Sequence, residues 1–176
     1  TLSPSSTLWA RAFSVRGGLY SAVAYIENPN EGAGVQAVNY RFGLYDERNV
    51  LVAERRGKTF IIPGGITPVF EGAIGTGHRS VARTYFEFTS RSVWERLSNA
   101  ASVLSVNNKK VTDVDSTPRL TARVKNTSVA AVLDPSFVAV VFDPAGNAFV
   151  ASATTLSRLA PNEEKEIVFT WPDPFP

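Results

Sequence analysis

The chain has 176 residues, 44% of them apolar, enough for one large core or two small ones of roughly 75 to 100 residues each. Its 18 basic and 16 acidic residues leave a formal charge of +2, too little to bind a nucleic acid by neutralising phosphates. Cysteine is absent, which excludes disulfides, thiolate zinc sites and a cysteine nucleophile, and a single histidine cannot build a zinc site of any common type.

The opening TLSPSST is rich in Ser, Thr and Pro and reads as the end of a linker. Thr1 stands where an initiator residue would, so the expectation is that an upstream segment has been removed: a signal peptide, an anchor or a further domain. No apolar stretch approaches the roughly 18 residues needed to span a bilayer, so a membrane enters the reading only through such an anchor. Strands are then predicted near residues 8–15, 19–27, 37–45, 50–60, 68–74 and 81–88. In SAVAYIEN, for example, Ala22, Ala24 and Ile26 share one face and Ser21, Tyr25 and Glu27 the other, the period of a half-buried strand.

The next strand, YRFGLYD, ends on Asp46, followed by ERN and a new apolar run. A carboxylate at the first position of a turn can accept hydrogen bonds from N–H groups two or three residues on, so Asp46 is read as the start of a hairpin turn and as structural. After FIIPGG comes IGTGHRS with the only histidine, His78. A serine hydrolase would need that histidine bonded to a serine and oriented by an acid, and Ser80 is too near in sequence to be placed by a separate element. Gly75-Thr-Gly77 resembles a phosphate cradle only superficially, because RSVARTYFEF behind it reads as strand and not as a helix opening on the glycines. The basic residues Arg55, Arg56, Lys58, Arg79 and Arg83 read first as solvated strand faces and only second as an anion site. In TSRSVWERLSNAA, Ser92 and Glu95 have capping-box spacing, which predicts one or two helical turns in a linker at about 89–100.

Beyond that linker the pattern returns. LTARVKN, with Leu120, Ala122 and Val124 on one face, ends on Asn126 as SAVAYIEN ends on Asn28, an offset of 126 minus 28, or 98. FVAVVFDPAGN echoes YRFGLYDERN, placing Asp143 opposite Asp46 at 143 minus 46, or 97, and Pro161 follows Pro63 at 98 again. Three landmarks in one order and near-constant spacing indicate two copies of one domain, 1–97 and 98–176. Pro144 and Gly146 complete the second turn, the proline fixing φ and the glycine able to take a positive one. Asn28 and Asn126 are read as strand terminators that bond their own backbone, in preference to taking Asn126-Thr-Ser as a glycosylation site. Asp113 and Asp115 lack the acid-rich loop and distal glutamate of a calcium site.

Phe42-Gly43-Leu44-Tyr45-Asp46 is a literal F-x-L-Y-D, and the chain resembles the FxLYD family of small immunoglobulin-like β-sandwich domains; Ala139-Val140-Val141-Phe142-Asp143 keeps the character of all but the first residue. The resemblance implies a bacterial, extracytoplasmic, often membrane-tethered protein with no known enzymatic activity, and it transfers no functional residue. The fold expected is therefore all-β: two tandem immunoglobulin-like sandwiches joined by a short linker with some helix.

One stretch departs from simple alternation. Val138, Val140 and Phe142 are apolar where the first copy has Arg41, Gly43 and Tyr45, so the second face of that strand should be covered, by the rest of the chain in preference to a partner. Trp171, in the tail WPDPFP whose prolines forbid a central strand, joins them as an interface candidate. The functional expectation is a non-enzymatic structural or binding module at the cell surface, without cofactor or metal, engaging a protein partner or itself. The alternatives are a subunit of a surface assembly or fibre, and an enzyme that uses His78.

Overall fold

The computed structural model describes residues 1–176, and they are all-β: strands and turns with one short 3-10 turn and no α-helix. Contacts divide the chain into two compact units, Thr1–Asn99 and Ala100–Pro176.

Unit 1 contains β1 (Ser6–Arg16), β2 (Leu19–Asn28), β3 (Ala33–Tyr45), β4 (Leu51–Ile61), β5 (Gly65–Gly75), β6 (Arg83–Phe88) and β7 (Trp94–Arg96). One antiparallel sheet has the order β1-β2-β5, the other β4-β3-β6, with β7 pairing the first residues of β3. The two sheets face each other across a core to which β2 gives Ala22, Ala24 and Ile26 and β3 gives Val38, Tyr40, Phe42 and Leu44. Phe42, Leu44 and Ala24 are fully buried, which for each large side chain contributes about 1.5–3 kcal/mol of transfer free energy.

A polar tie also crosses this core. The Tyr40 hydroxyl donates to Glu71 on the opposite sheet, and Arg55 reaches the same carboxylate at 3.6 Å while donating to the Ala73 carbonyl at 3.1 Å. Burial first, and then the Glu71 carboxylate, raise the Tyr40 hydroxyl above the ordinary phenol range. Gly57 makes room for the contact, since a Cβ there would overlap the Tyr40 hydroxyl.

Unit 2 begins with a 3-10 turn (Ala100–Val103) and contains β8 (Leu104–Thr112), β9 (Arg119–Asn126), β10 (Val132–Leu133), β11 (Ser136–Phe142), β12 (Ala148–Thr155), β13 (Arg158–Leu159) and β14 (Glu164–Thr170). Its sheets are β14-β9-β8, β11-β12 and the short pair β10-β13. The first repeats β5-β2-β1 strand for strand, and β11-β12 repeats β3-β4. Where β3 runs unbroken, its counterpart is split into β10 and β11 by Asp134 and Pro135, Asp134 having φ of 48°.

Both strand-ending asparagines are wholly buried. Asn28 donates its amide to the carbonyls of Ala33 and Ile62, each at 2.8 Å, and accepts from the Asn30 N–H at 2.9 Å. Asn126 donates to Ala130 at 2.8 Å and Leu159 at 3.1 Å, and accepts from the Ser128 N–H at 3.0 Å. The expectation of a self-terminating turn describes only the last of these three bonds in each set. The first two clamp the start of the next strand and the end of the one after it. With its Nδ2 so engaged and no solvent exposure, Asn126 is closed to glycosylation in the folded chain.

Two expectations are corrected. Ser92 to Glu95 forms no helix: Trp94 to Arg96 is a strand on β3, Glu95 accepts from the Gln36 side chain at 2.8 Å, and Trp94 packs against the unit 1 core. An open strand edge and a half-buried indole outweigh a capping-box spacing that carries no tertiary term. The tail does leave the sheet after Thr170, but Trp171 is 6% exposed within the core of unit 2, its indole donating to the Ala151 carbonyl at 3.1 Å. It lies inside the unit and not at an interface.

Replacing Asn28 or Asn126 by Ala removes the side-chain donor from two carbonyls, one of them buried. Each substitution is expected to cost about 2–4 kcal/mol, read as a lower urea midpoint and as lost amide-exchange protection in the unit that carries it.

Candidate binding surface

The aspartate turns fix where the outer faces begin. Asp46 accepts from the N–H groups of Arg48 and Val50, both at 2.9 Å, and its own N–H donates to the Val50 carbonyl at 3.0 Å. Asp143 accepts from the Asn147 N–H at 2.9 Å and donates its N–H to the Asn147 carbonyl at 2.9 Å. The left-handed position is held by Asn49 at φ 62° in the first turn and by Gly146 at φ 85° in the second. Asparagine tolerates that region well enough to stand where glycine stands in the other copy. Backbone N–H donation, from Val50 above all, holds the Asp46 carboxyl below the usual range, helped by Arg79 at 2.9 Å. At Asp143 the same is done by the N–H and side chain of Asn147.

From these turns the outer faces of β3 and β11 diverge. On β3, Arg41 donates to Glu87 at 2.9 Å and to Glu54 at 3.1 Å, and Arg56 reaches the other oxygen of Glu54 at 2.6 Å. These bonds, with Glu87 first, raise the Arg41 guanidinium, and the two arginines lower Glu54, with Arg56 the larger cause. Tyr45 meets Tyr85 edge to face at 5.2 Å and lies across Gly43, where an added Cβ would come within 2.8 Å of its ring. The face is a charge ladder with a tyrosine pair at its end.

On β11 the same positions are Val138, Val140 and Phe142. They are uncharged, and their partners across the ladder are Ala153, Ala151 and Ala148. The expected cover is partial: both valines are half-buried and Phe142 is 43% exposed. Beside Phe142, the residues Val114, Pro144, Phe149 and Phe175 line a shallow apolar hollow, with Phe149 and Phe175 edge to face at 5.3 Å. Phe175 is held there by its N–H, which donates to the Val114 carbonyl at 2.8 Å. An open aliphatic and aromatic face of this kind suits an apolar partner surface.

The remaining candidates are dispersed. His78 is exposed at φ 65° and sits against Gly17 and Gly18 of the β1–β2 hairpin, while its neighbour Arg79 is committed to Asp46. Arg55 and Arg56 belong to the polar tie and to the charge ladder and do not converge on a common anion site. Asp113 is a turn residue at φ 55° whose carbonyl accepts from the Ser116 N–H at 3.0 Å, and no three acids or histidines stand close enough to hold a metal. The Arg41 ladder was not legible in the sequence, because its two acids and two bases lie on three different strands. No protein-family model matches the chain, and no curated protein is recognisably similar to it in sequence.

Both turn carboxyls have depressed values in the folded state. The stability they confer is therefore fully present above the unfolded aspartate value of about 4 and is lost as pH falls through the lower folded values. Asp46→Asn with Asp143→Asn keeps the acceptor oxygen but removes the charge. The double variant is expected to show a shallower fall of urea midpoint between about pH 5 and pH 2 than the parent chain.

Proposed function

We propose that the chain is a non-enzymatic binding module: two immunoglobulin-like β-sandwich domains of FxLYD type, held outside the cytoplasm and presenting the face of β11 to a protein partner. The observation that carries this reading is the contrast between what the copies share and where they differ. The buried asparagine clamp and the aspartate turn have matching partners in both units, whereas the outer face changes from paired charges at Arg41 to uncharged, half-buried aliphatic residues at Val138 and Val140 beside the exposed Phe142. A frame retained with altered faces is what display of a surface requires, and a merely solvated face would have no use for apolar residues at three successive outward positions. The extracytoplasmic placement is supported by the F-x-L-Y-D motif at Phe42–Asp46 and by the Ser/Thr/Pro-rich segment ahead of β1.

Val138→Thr, Val140→Thr and Phe142→Thr together keep strand propensity while removing the apolar face. The parent chain is expected to enhance the fluorescence of anilinonaphthalenesulfonate under native conditions, and the triple variant to lose most of that signal with stability changed by no more than about 1–2 kcal/mol. Equal dye binding by the two proteins would remove the face from consideration. Fractionation of cells that express the full open reading frame tests the placement, and recovery only in the cytosol would contradict it.

A further inference from the structure

The outer face of unit 1 carries polar groups that the core does not use. Where β3 meets its turn, Arg41, Tyr45, Asn49, Tyr85 and Glu87 line a hollow of about 310 Å3, at the lower end of the range for small-molecule sites. The rings of Tyr45 and Tyr85 meet at 86° and so form two walls of a corner, and Tyr85 is 51% exposed. The Asn49 carboxamide is exposed and bonds nothing within the protein; the turn uses only its positive φ and its N–H, which donates to the Asp46 carbonyl. Glu87 spends Oε1 on Arg41, and its side chain is 57% exposed. Arg41 itself is fixed in place by Glu87, Glu54 and the Tyr45 hydroxyl. A preset guanidinium, an unused carboxamide and a half-used carboxylate thus surround an exposed aromatic ring.

Unit 2 shows that the frame does not require them. There Val138 stands for Arg41 and Phe142 for Tyr45, and Gly146 takes the left-handed position of Asn49. Each difference removes a hydrogen-bonding group from the same corner, while the strand pair and the turn persist. The charges on the unit 1 face also cancel, Arg41 and Arg56 being matched by Glu54 and Glu87. Arg83, the next outward residue of β6, lines a separate cleft with Tyr85 and not this hollow. An ionic ligand finds no uncompensated charge here to attract it.

We propose that this corner binds a neutral sugar ring with equatorial hydroxyls, the ring of a β-linked glucan or xylan. Such a ring has a flat apolar face of axial C–H groups, which suits the exposed Tyr85 ring. Its hydroxyls spread around the edge, and each is both donor and acceptor. Planar groups of fixed orientation match them: Arg41 donates, Glu87 accepts, and Asn49 does both. The tyrosines supply apolar area with a polar tip at little cost in rotamer entropy. The site belongs to unit 1 and does not depend on the β11 face.

The test is affinity electrophoresis of the full chain in native gels. Hydroxyethylcellulose, a soluble mixed-linkage β-glucan and arabinoxylan serve as neutral probes, and carboxymethylcellulose as an anionic one. The expected result is retardation by at least one neutral polymer. Tyr85→Ser is expected to weaken it about tenfold and Tyr85→Trp to retain it, since stacking needs the ring and not the hydroxyl. Asn49→Gly keeps the turn, as Gly146 does in unit 2, and is expected to weaken retardation about threefold to tenfold with an unchanged urea midpoint. Absence of retardation by all three neutral polymers would overturn the proposal. So would retardation indifferent to both Tyr85→Ser and Asn49→Gly, or stronger retardation by carboxymethylcellulose than by hydroxyethylcellulose. Failure here leaves the binding-module reading standing, because the dye test of Val138, Val140 and Phe142 reads unit 2.

Discussion

Each unit depends on one buried carboxamide. A strand that ends inside the protein leaves backbone groups that water cannot reach, and so do the start of the next strand and the close of the one after. An asparagine can serve all three at once, because it offers two donors and an acceptor on a short side chain. Aspartate would turn acceptors toward the carbonyls of Ala33 and Ile62, and leucine would orphan them. That Asn126 makes the same set of bonds with Ala130 and Leu159 shows the clamp to be a property of the repeated frame and not of one local turn.

With the frame pinned from inside, the outer faces are free to change in concert. Tyr45 can lie across β3 only because position 43 has no side chain, and in that pose it meets Tyr85 beside the Arg41–Glu87 pair. In unit 2 the position is Val140. A ring cannot lie against a branched side chain as closely as Tyr45 lies over Gly43, and Phe142, two residues on, is 43% exposed.

The strands and the aspartate turns were legible because each is written in local spacing: alternation of apolar residues, and a carboxylate ahead of a residue with positive φ. The partners of Asn28 were not, since Ile62 lies on another strand and only one of the three bonds is local. The stretch from Ser92 to Glu95 misled for the complementary reason. Its spacing was right for a helix start, but the fate of Trp94 was decided by the edge of β3 and by the core of unit 1. For the candidate site, the apolar run Val138, Val140, Phe142 was visible in the sequence, while the degree to which each is covered depends on strands and a tail distant in sequence.

The two cores also solve the same problem with opposite chemistry. In unit 1 the sheets are joined by Tyr40, Glu71 and Arg55, a polar set whose members satisfy one another. At the equivalent ladder positions unit 2 has Phe137, Phe169 and Ser152, and Phe169 is 4% exposed. Losing one member of such a set strands the others in a poorly solvated place, whereas exchanging all of them removes donors and acceptors together and is close to neutral. The second unit therefore needs no substitute for the tie. What it gives up is the alignment that a directional hydrogen bond imposes between facing sheets.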